Sequence, residues 1–371
     1  MKLHRTDLLE ALGCALLAQK GKSPRAIDTL SMISPKGEGF ALQAHGSMLA
    51  IEAVGRAEGP VLPFVVQTQQ LREFVAGARG ELIEAELAEQ YIKLQVGAQS
   101  AKVPTLTITP EEMPTLPELP AADSDEWTFR VEYADLTSLI ARTIHAASRE
   151  GGRYAMNALR IKTDGPKLQI AATDGRMLVI DSTAIEETDW AAQSLLPVEA
   201  GSAIKAIFQG PATLSCFVSD DGRTFALRGG GRTMIARPIE GQFPRVESVV
   251  PKGKLPGFEA RRSDLIAAIK FAKGAATIDN MAVKLVPAEG GKLEIWSRGS
   301  GAEARELVDA DLDSGWVGVT LNPDFALSML SAVSSDRVRI AGDSKTSPHL
   351  IRHLADDSPW VGVLMPITVD T

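Results

Sequence analysis

Three times along the chain, a few residues of strand-like alternation give way to apolar positions spaced three and four apart. That spacing predicts helices opening at Arg5-Thr6-Asp7-Leu8-Leu9, at Tyr133-Ala134-Asp135-Leu136 and at Arg262-Ser263-Asp264-Leu265. Asp or Ser at these points is expected to cap each helix and to complement its dipole. A second short helix follows a strand in the middle of each third, over residues 67–75, 199–208 and 322–330. Between the helices run short alternating segments that end in turn residues. Two of them, Lys167 to Thr173 and Thr213 to Ser219, reach Asp174-Gly175 and Asp221-Gly222, which read as hairpin turns. The order helix, strands, helix, strands therefore occurs three times, the kind of internal repeat that decides a fold.

Two breaks separate the repeats. Pro104, Pro110, Pro114, Pro117 and Pro120 lie among acidic and small residues before the alternation restarts at Trp127, and PKGKLPG over 251–257 concentrates Pro, Gly and Lys. The cuts give three expected domains, 1–122, 123–253 and 254–371, each near the usual domain size. The spacing leaves no room for a regular βαβ succession, so the expected class is α+β with mostly antiparallel sheet, and a doubly wound nucleotide-binding fold is disfavoured.

Composition narrows the chemistry. With 39 basic and 47 acidic residues the chain carries a net charge of -8, which argues against coating by nucleic acid through bulk attraction but leaves room for a local basic surface. Aromatic residues make up 5%, too few for a stacking platform for single strands. The two cysteines, Cys14 and Cys216, sit in separate apolar stretches, so a disulfide framework is excluded and buried thiols are expected. No apolar run reaches the length of a membrane span, and MKLHRTDLLEAL lacks the features of a signal peptide; the expected location is cytoplasmic.

Motifs for catalysis are weak. Gly229-Gly230-Gly231-Arg232-Thr233 lacks the lysine and the strand-to-helix setting of a phosphate loop and fits a tight turn. His349 and His353 are four apart, a metal spacing on a helix, but His349-Leu350-Ile351-Arg352-His353 reads as a strand, which holds them too far apart for one ion. Gly175-Arg176 after Asp174 could form an anion-binding turn or a structural hairpin. No metal or cofactor is expected.

Several segments resemble one family in order and spacing. Arg153-Tyr154-Ala155-Met156-Asn157-Ala158-Leu159, Ala171-Ala172-Thr173-Asp174-Gly175-Arg176-Met177-Leu178-Val179, the run from Glu240 through Phe243-Pro244 to Pro251, Asn322-Pro323 with Phe325, and Val363-Leu364-Met365-Pro366-Ile367 are similar to segments of the bacterial β sliding clamp, the processivity subunit of the replicative DNA polymerase. The resemblance spans the chain and is weakest in the first third.

The resemblance implies a DNA-clamp fold: three similar domains, each with two helices on antiparallel sheets, closing as a head-to-tail homodimer ring with the helices around duplex DNA. It implies no catalytic site. The lining would include Arg72, Lys205 and Lys270, and the DNA-facing edge Lys22, Arg25, Arg149, Arg153, Tyr154 and Lys273. It also implies a pocket where polymerases and the clamp loader insert a short hydrophobic peptide of the Gln-Leu-x-Leu-Phe type. Its walls would come from Met156, from Thr173, Gly175, Arg176, Met177 and Leu178, from Pro244 and Val249, and from Val363, Leu364, Met365, Pro366 and Ile367. The physical case stands beside the name: an exposed tail of Val, Leu, Met, Pro and Ile is an aggregation liability unless it is core or groove, and Met suits a groove that repacks around several partners.

There are departures. Arg176-Met177 stands where the family usually has His-Arg, Ser248 where an Arg often precedes the Val, and Thr368 where an Arg often ends the tail, which alters the polar contacts of the pocket and fits a divergent host, plasmid or phage clamp. Subunits of the family meet near the stretches 100–106 and 272–281. Two other readings are a clamp-fold scaffold that does not encircle DNA, and an α+β enzyme with a site around Asp174, Arg176 and Arg232.

Overall fold

The structure is a computed structural model that describes residues 1–20, 25–105, 108–150, 154–210, 212–277, 281–354 and 358–368, without the side chain of Tyr154. The described helices are α1 (Arg5–Ala18), α2 (Thr68–Gly77), α3 (Tyr133–Thr143), α4 (Val198–Ile207), α5 (Arg262–Lys273) and α6 (Pro323–Ala332). They stand at the six places where the spacing of apolar residues predicts them. The α1 helix buries Leu8, Ala11, Leu12 and Ala15, and α5 buries Leu265, Ala268, Ile269 and Ala272, the same three-and-four stripe in both.

The caps differ from expectation. His4 and Arg261 occupy the N-cap positions of α1 and α5 with no side-chain cap bond, and Asp7 and Asp264 fall in the first turn, where they complement the dipole without capping. Asp7 is instead taken by Arg56, whose backbone N and guanidinium both donate to it, and these bonds hold its carboxyl down at about 2. Asn322 does cap α6, accepting from the Asp324 N at 2.9 Å.

The chain packs as two compact units. One comprises Met1–Thr137 with Ile185–Ile239. Its sheet is antiparallel, and the long strand Leu49–Glu58 pairs with Gly39–His45 along most of its length, with Arg232–Ala236 at its start and with Lys2–His4 at its end. Helix α1 packs against α2 and α4, and the Cys14 thiol lies against the Ile207 carbonyl. Both cysteines are buried and unbonded, as expected. The proline-rich break is pinned to this unit: Met113 packs with Leu30 and Val65, Trp127 Nε1 donates to the Ala121 carbonyl, and Arg228 donates to the Pro120 carbonyl from above the Trp127 ring.

The other unit comprises Ser138–Ala184 with Glu240–Thr371. Its sheet runs, in order, through Ala158–Thr163, Lys167–Thr173, Met177–Ala184, Val361–Leu364, His349–His353, Arg337–Ala341, Gly257–Arg261, Ala302–Leu312, Lys292–Gly299, Val283–Ala288 and Val319–Leu321, with each of these neighbours antiparallel. Strands of the middle third are thus divided. Phe129–Glu132 and the three strands between 213 and 236 join the first unit, and the three strands between 158 and 184 join the second. Helix α5 packs against α6, and the Lys273 ammonium pairs with Asp324 across them. His349–His353 is a strand, as its alternation predicts, and its two histidines have separate partners: the Ser347 carbonyl for His349, and Ser334 with the Trp360 ring for His353.

Candidate functional site

The second unit gathers the residues expected to line a peptide groove, beginning at a turn. Thr173 ends one strand and Met177 starts the next. Gly175 between them has φ +86°, a left-handed conformation that favours glycine. The Thr173 hydroxyl donates to the Met177 carbonyl at 2.7 Å and accepts from the Gly175 N at 3.1 Å. The Asp174 carboxylate accepts from the N–H groups of Arg176 and Met177, both at 2.8 Å. Asp174 therefore builds the hairpin, the structural alternative of the two open on the sequence.

The strand beyond this turn receives the end of the chain. Met177 pairs with Leu364, Leu178 with Val363 and Ile180 with Val361, and one step further the Met365 N–H donates to the Arg176 carbonyl at 2.8 Å. The Ile367 N–H then donates to the Thr320 carbonyl at 2.9 Å. Val363 and Leu364 are buried, as are Thr173, Met177 and Leu178; Met365, Pro366 and Ile367 are half-buried. Under the tail, Gly362 lies flat against Trp360, and a Cβ there would stand 2.6 Å from the indole ring.

A second strip lies along Ala158–Thr163. Met156, half-buried, accepts through its carbonyl from the Ser148 N–H at 3.0 Å. The segment 240–249 approaches the same region: Gly241 faces the Ala155 methyl, Phe243 and Val246 are buried, Pro244 is half-buried, and Val249 leaves 43% of its surface in water. Sequence reasoning missed what holds this segment, the ion pair between Arg160 and Glu247 at 2.7 Å. Arg160 alternates with Ala158 and Lys162, a face that reads as polar on the sequence, and no local signal marks it as buried. At the outer rim, Arg176 and Glu150 stand 3.7 Å apart, both exposed.

The candidate DNA-facing residues fall in both units. Lys205 on α4 and Lys270 on α5 are exposed, as is Arg149, and Arg72 on α2 is half-buried. Arg25 is held by Asp28 at 2.9 Å and Lys273 by Asp324. Lys22 and Arg153 lie outside the described residues, as does the side chain of Tyr154. The six helices together carry seven basic and seven acidic side chains, so they are neutral within a chain of net charge -8. In the first unit, strand Gln99–Pro104 ends its sheet, and the exposed Phe74 of α2 borders a cavity of about 250 Å³ beside it.

Repeated helix pairs on antiparallel sheets, with an apolar tail laid beside a hairpin, define the sliding-clamp class of fold. Comparison with known proteins agrees. Residues 130–245 match the family model of the DNA polymerase III beta subunit, central domain. The β sliding clamp of Pseudomonas putida is 26% identical over 376 aligned positions that cover 98% of both chains. The solved sliding clamp of Bacillus subtilis superposes with a TM-score of 0.91 at 19% identity, covering 100% of this chain and 99% of that one. A clamp from Pseudomonas aeruginosa, solved bound to griselimycin, superposes at 0.89 with 20% identity and the same coverage. Along nearly its whole length the chain is similar to bacterial β sliding clamps, and its middle third matches the central domain of that family.

Proposed function

We infer that this chain is a DNA sliding clamp, a processivity factor that encircles duplex DNA as a homodimer and tethers the replicative polymerase, the clamp loader and other partners through short hydrophobic peptides. The observation that carries the reading is the pairing of Met177–Ile180 with Val361–Leu364, in a chain that matches clamps along its whole length. That pairing sets Met365-Pro366-Ile367 beside the Asp174 hairpin as a half-buried apolar ledge. We assign the peptide site to this ledge together with Met156, Pro244 and Val249.

In this reading the domains are 1–122, 123–253 and 254–371, and the sheets continue from one domain into the next. Lys205, Lys270 and Arg72 face DNA. The neutral helices suit a ring that holds DNA by enclosure, since a topological link needs little attraction per contact. The edge strand Gln99–Pro104 with Phe74, and Phe271 on α5, 59% exposed, supply apolar surface for the contact between copies. The clamp works in the cytoplasm as a binding scaffold without catalysis. Asp174 is committed to its turn, and Arg232 pairs with Glu10 and donates to the Ile207 carbonyl, which leaves the enzyme reading without a cluster.

The test is topological. Sedimentation at micromolar concentration should give a dimer of the 39.6 kDa chain. Protein loaded on nicked circular duplex by its own clamp loader should stay bound through gel filtration in high salt and should leave when the circle is cut. Release that is indifferent to cutting, or a monomer at every concentration, favours the scaffold that does not encircle DNA.

A further inference from the structure

A guanidinium buried in a strand needs an explanation, because an ionised group taken out of water is tolerated only when paired and hydrogen-bonded. The Arg160 side chain is 5% exposed. Its Nη2 donates to Gln169 Oε1 at 2.6 Å and reaches Glu247 Oε1 at 2.7 Å, and its guanidinium carbon lies 5.5 Å from the centre of the Phe243 ring. Glu247, by contrast, is 56% exposed. Among the described residues, the other hydrogen bonds of segment 243–249 stay within it: Val246 N–H to the Pro244 carbonyl, Val249 N–H to the Val246 carbonyl, and both the N–H and the hydroxyl of Ser248 to the Arg245 carbonyl. The polar link from this segment to the sheet is therefore the Arg160–Glu247 pair, with Phe243 and Val246 as its apolar anchors.

We propose that Arg160 is a positioning residue of the peptide groove, which acts through Glu247 and Phe243 to hold Pro244 and Val249 as a wall. This rests on the groove assigned above. Glu247 is not a free acid waiting for a basic peptide side chain. Partial burial pushes its carboxyl up, but the hydrogen bond and charge of Arg160, helped by Lys162, leave it below the ordinary glutamate value, already compensated by two cations. Its work is internal, and the recognising surface is apolar.

The experiment measures binding of a labelled Gln-Leu-x-Leu-Phe peptide to the full-length protein. Glu247→Ala cuts the tether from its exposed end and should raise Kd about fivefold, within the range for a residue that supports an interface, and because it leaves the buried Arg160 without its carboxylate, the melting temperature is read beside it to show that the variant is folded. Arg160→Leu should cost at least as much, Arg160→Lys should recover most of the affinity, and the Arg160→Leu/Glu247→Ala pair should be no worse than the poorer single change, the coupling expected of two groups acting as one. Wild-type affinity in Glu247→Ala, losses that multiply in the pair, or no recovery with lysine overturns the proposal. If the wild type binds and the Met365→Ala/Pro366→Ala variant does not, while Glu247→Ala is unaffected, the tether alone is rejected. If the wild type fails to bind, the groove assignment falls and the tether with it.

Discussion

Truncation of Met365 and Pro366 to alanine removes surface from the groove while leaving the frame that presents it. The bonds that fix the tail are main-chain bonds, from the Met365 N–H to the Arg176 carbonyl and from the Ile367 N–H to the Thr320 carbonyl, and both survive the change. Val363 and Leu364 stay buried beneath. Met365 and Pro366 are half-buried in the free protein, and a peptide in the proposed site would cover what remains. Full burial of an apolar side chain contributes about 1.5–3 kcal/mol, and roughly half of that for each residue gives about 2 kcal/mol for the pair. Truncating the anchors of an interface costs a similar amount, about 2 kcal/mol or more. This corresponds to a rise of about 30-fold in Kd. Fluorescence anisotropy of the labelled Gln-Leu-x-Leu-Phe peptide, titrated with both proteins, measures it, and the sedimentation mass and the melting temperature check that ring and fold are intact. Full-strength binding by the double variant would show that the ledge is not the site.

Three further outcomes follow from the geometry. Lys205→Ala with Lys270→Ala should reduce the slope of log Kobs against log salt for duplex DNA by about 4 at most, since each lysine answers to one phosphate and occurs twice in a dimer; an unchanged slope removes both from the lining. Gly362→Ala should lower stability by about 1–3 kcal/mol in a denaturant titration, because its methyl would meet the Trp360 ring at 2.6 Å and the Met329 sulfur at 3.3 Å; unchanged stability would mean that the ring moves aside freely. Burial pushes His145 down to about 4, against about 6.5 in the unfolded chain. The unfolded state therefore binds the proton first, so this contribution to stability is complete above about pH 6.5 and is lost as pH falls toward 4, on the order of 3 kcal/mol. His145→Gln should make the acid limb of a stability profile shallower by up to one proton, and an identical limb would clear His145 of the effect.

The parts of the fold that depend on neighbours in sequence were legible in the sequence. A stripe such as Leu8, Ala11, Leu12 and Ala15 needs only local spacing, and the same holds for the hairpin at Asp174-Gly175 and the strand His349–His353. The caps were misread because Asp7 and Asp264 lie a turn's length too far into their helices, and what occupies Asp7 is Arg56, far off in the chain. The division of the middle third between two sheets could not be read. It depends on the register of Met177–Ile180 with Val361–Leu364 and of Arg232–Ala236 with Leu49–Ala53, pairings between distant segments that no local period encodes.

The same distinction explains which site residues were within reach. Met365 and Pro366 belong to an apolar tail that is a liability unless it is core or groove, whereas Val249 came into view only through the family resemblance. Arg160 gives the opposite impression, a charged residue in an alternating strand that reads as solvent-facing, and only the coordinates show that it is buried against Phe243 and Glu247. Naming lysines and arginines alone leaves the acidic side chains of the same helices out of account. Set against Glu10, Glu73, Glu199 and the four helical aspartates, the basic residues cancel, and Lys273 and Arg25 are each held by a carboxylate. In the proposed ring, helices that are neutral in sum would make a poor DNA-binding surface if affinity had to hold the complex together. It is adequate when a closed ring does so, and it leaves the protein free to slide, because few counterions are displaced at any position. On that reading partner choice would rest on the proposed apolar groove, and the Arg160–Glu247 pair would act by aligning its wall.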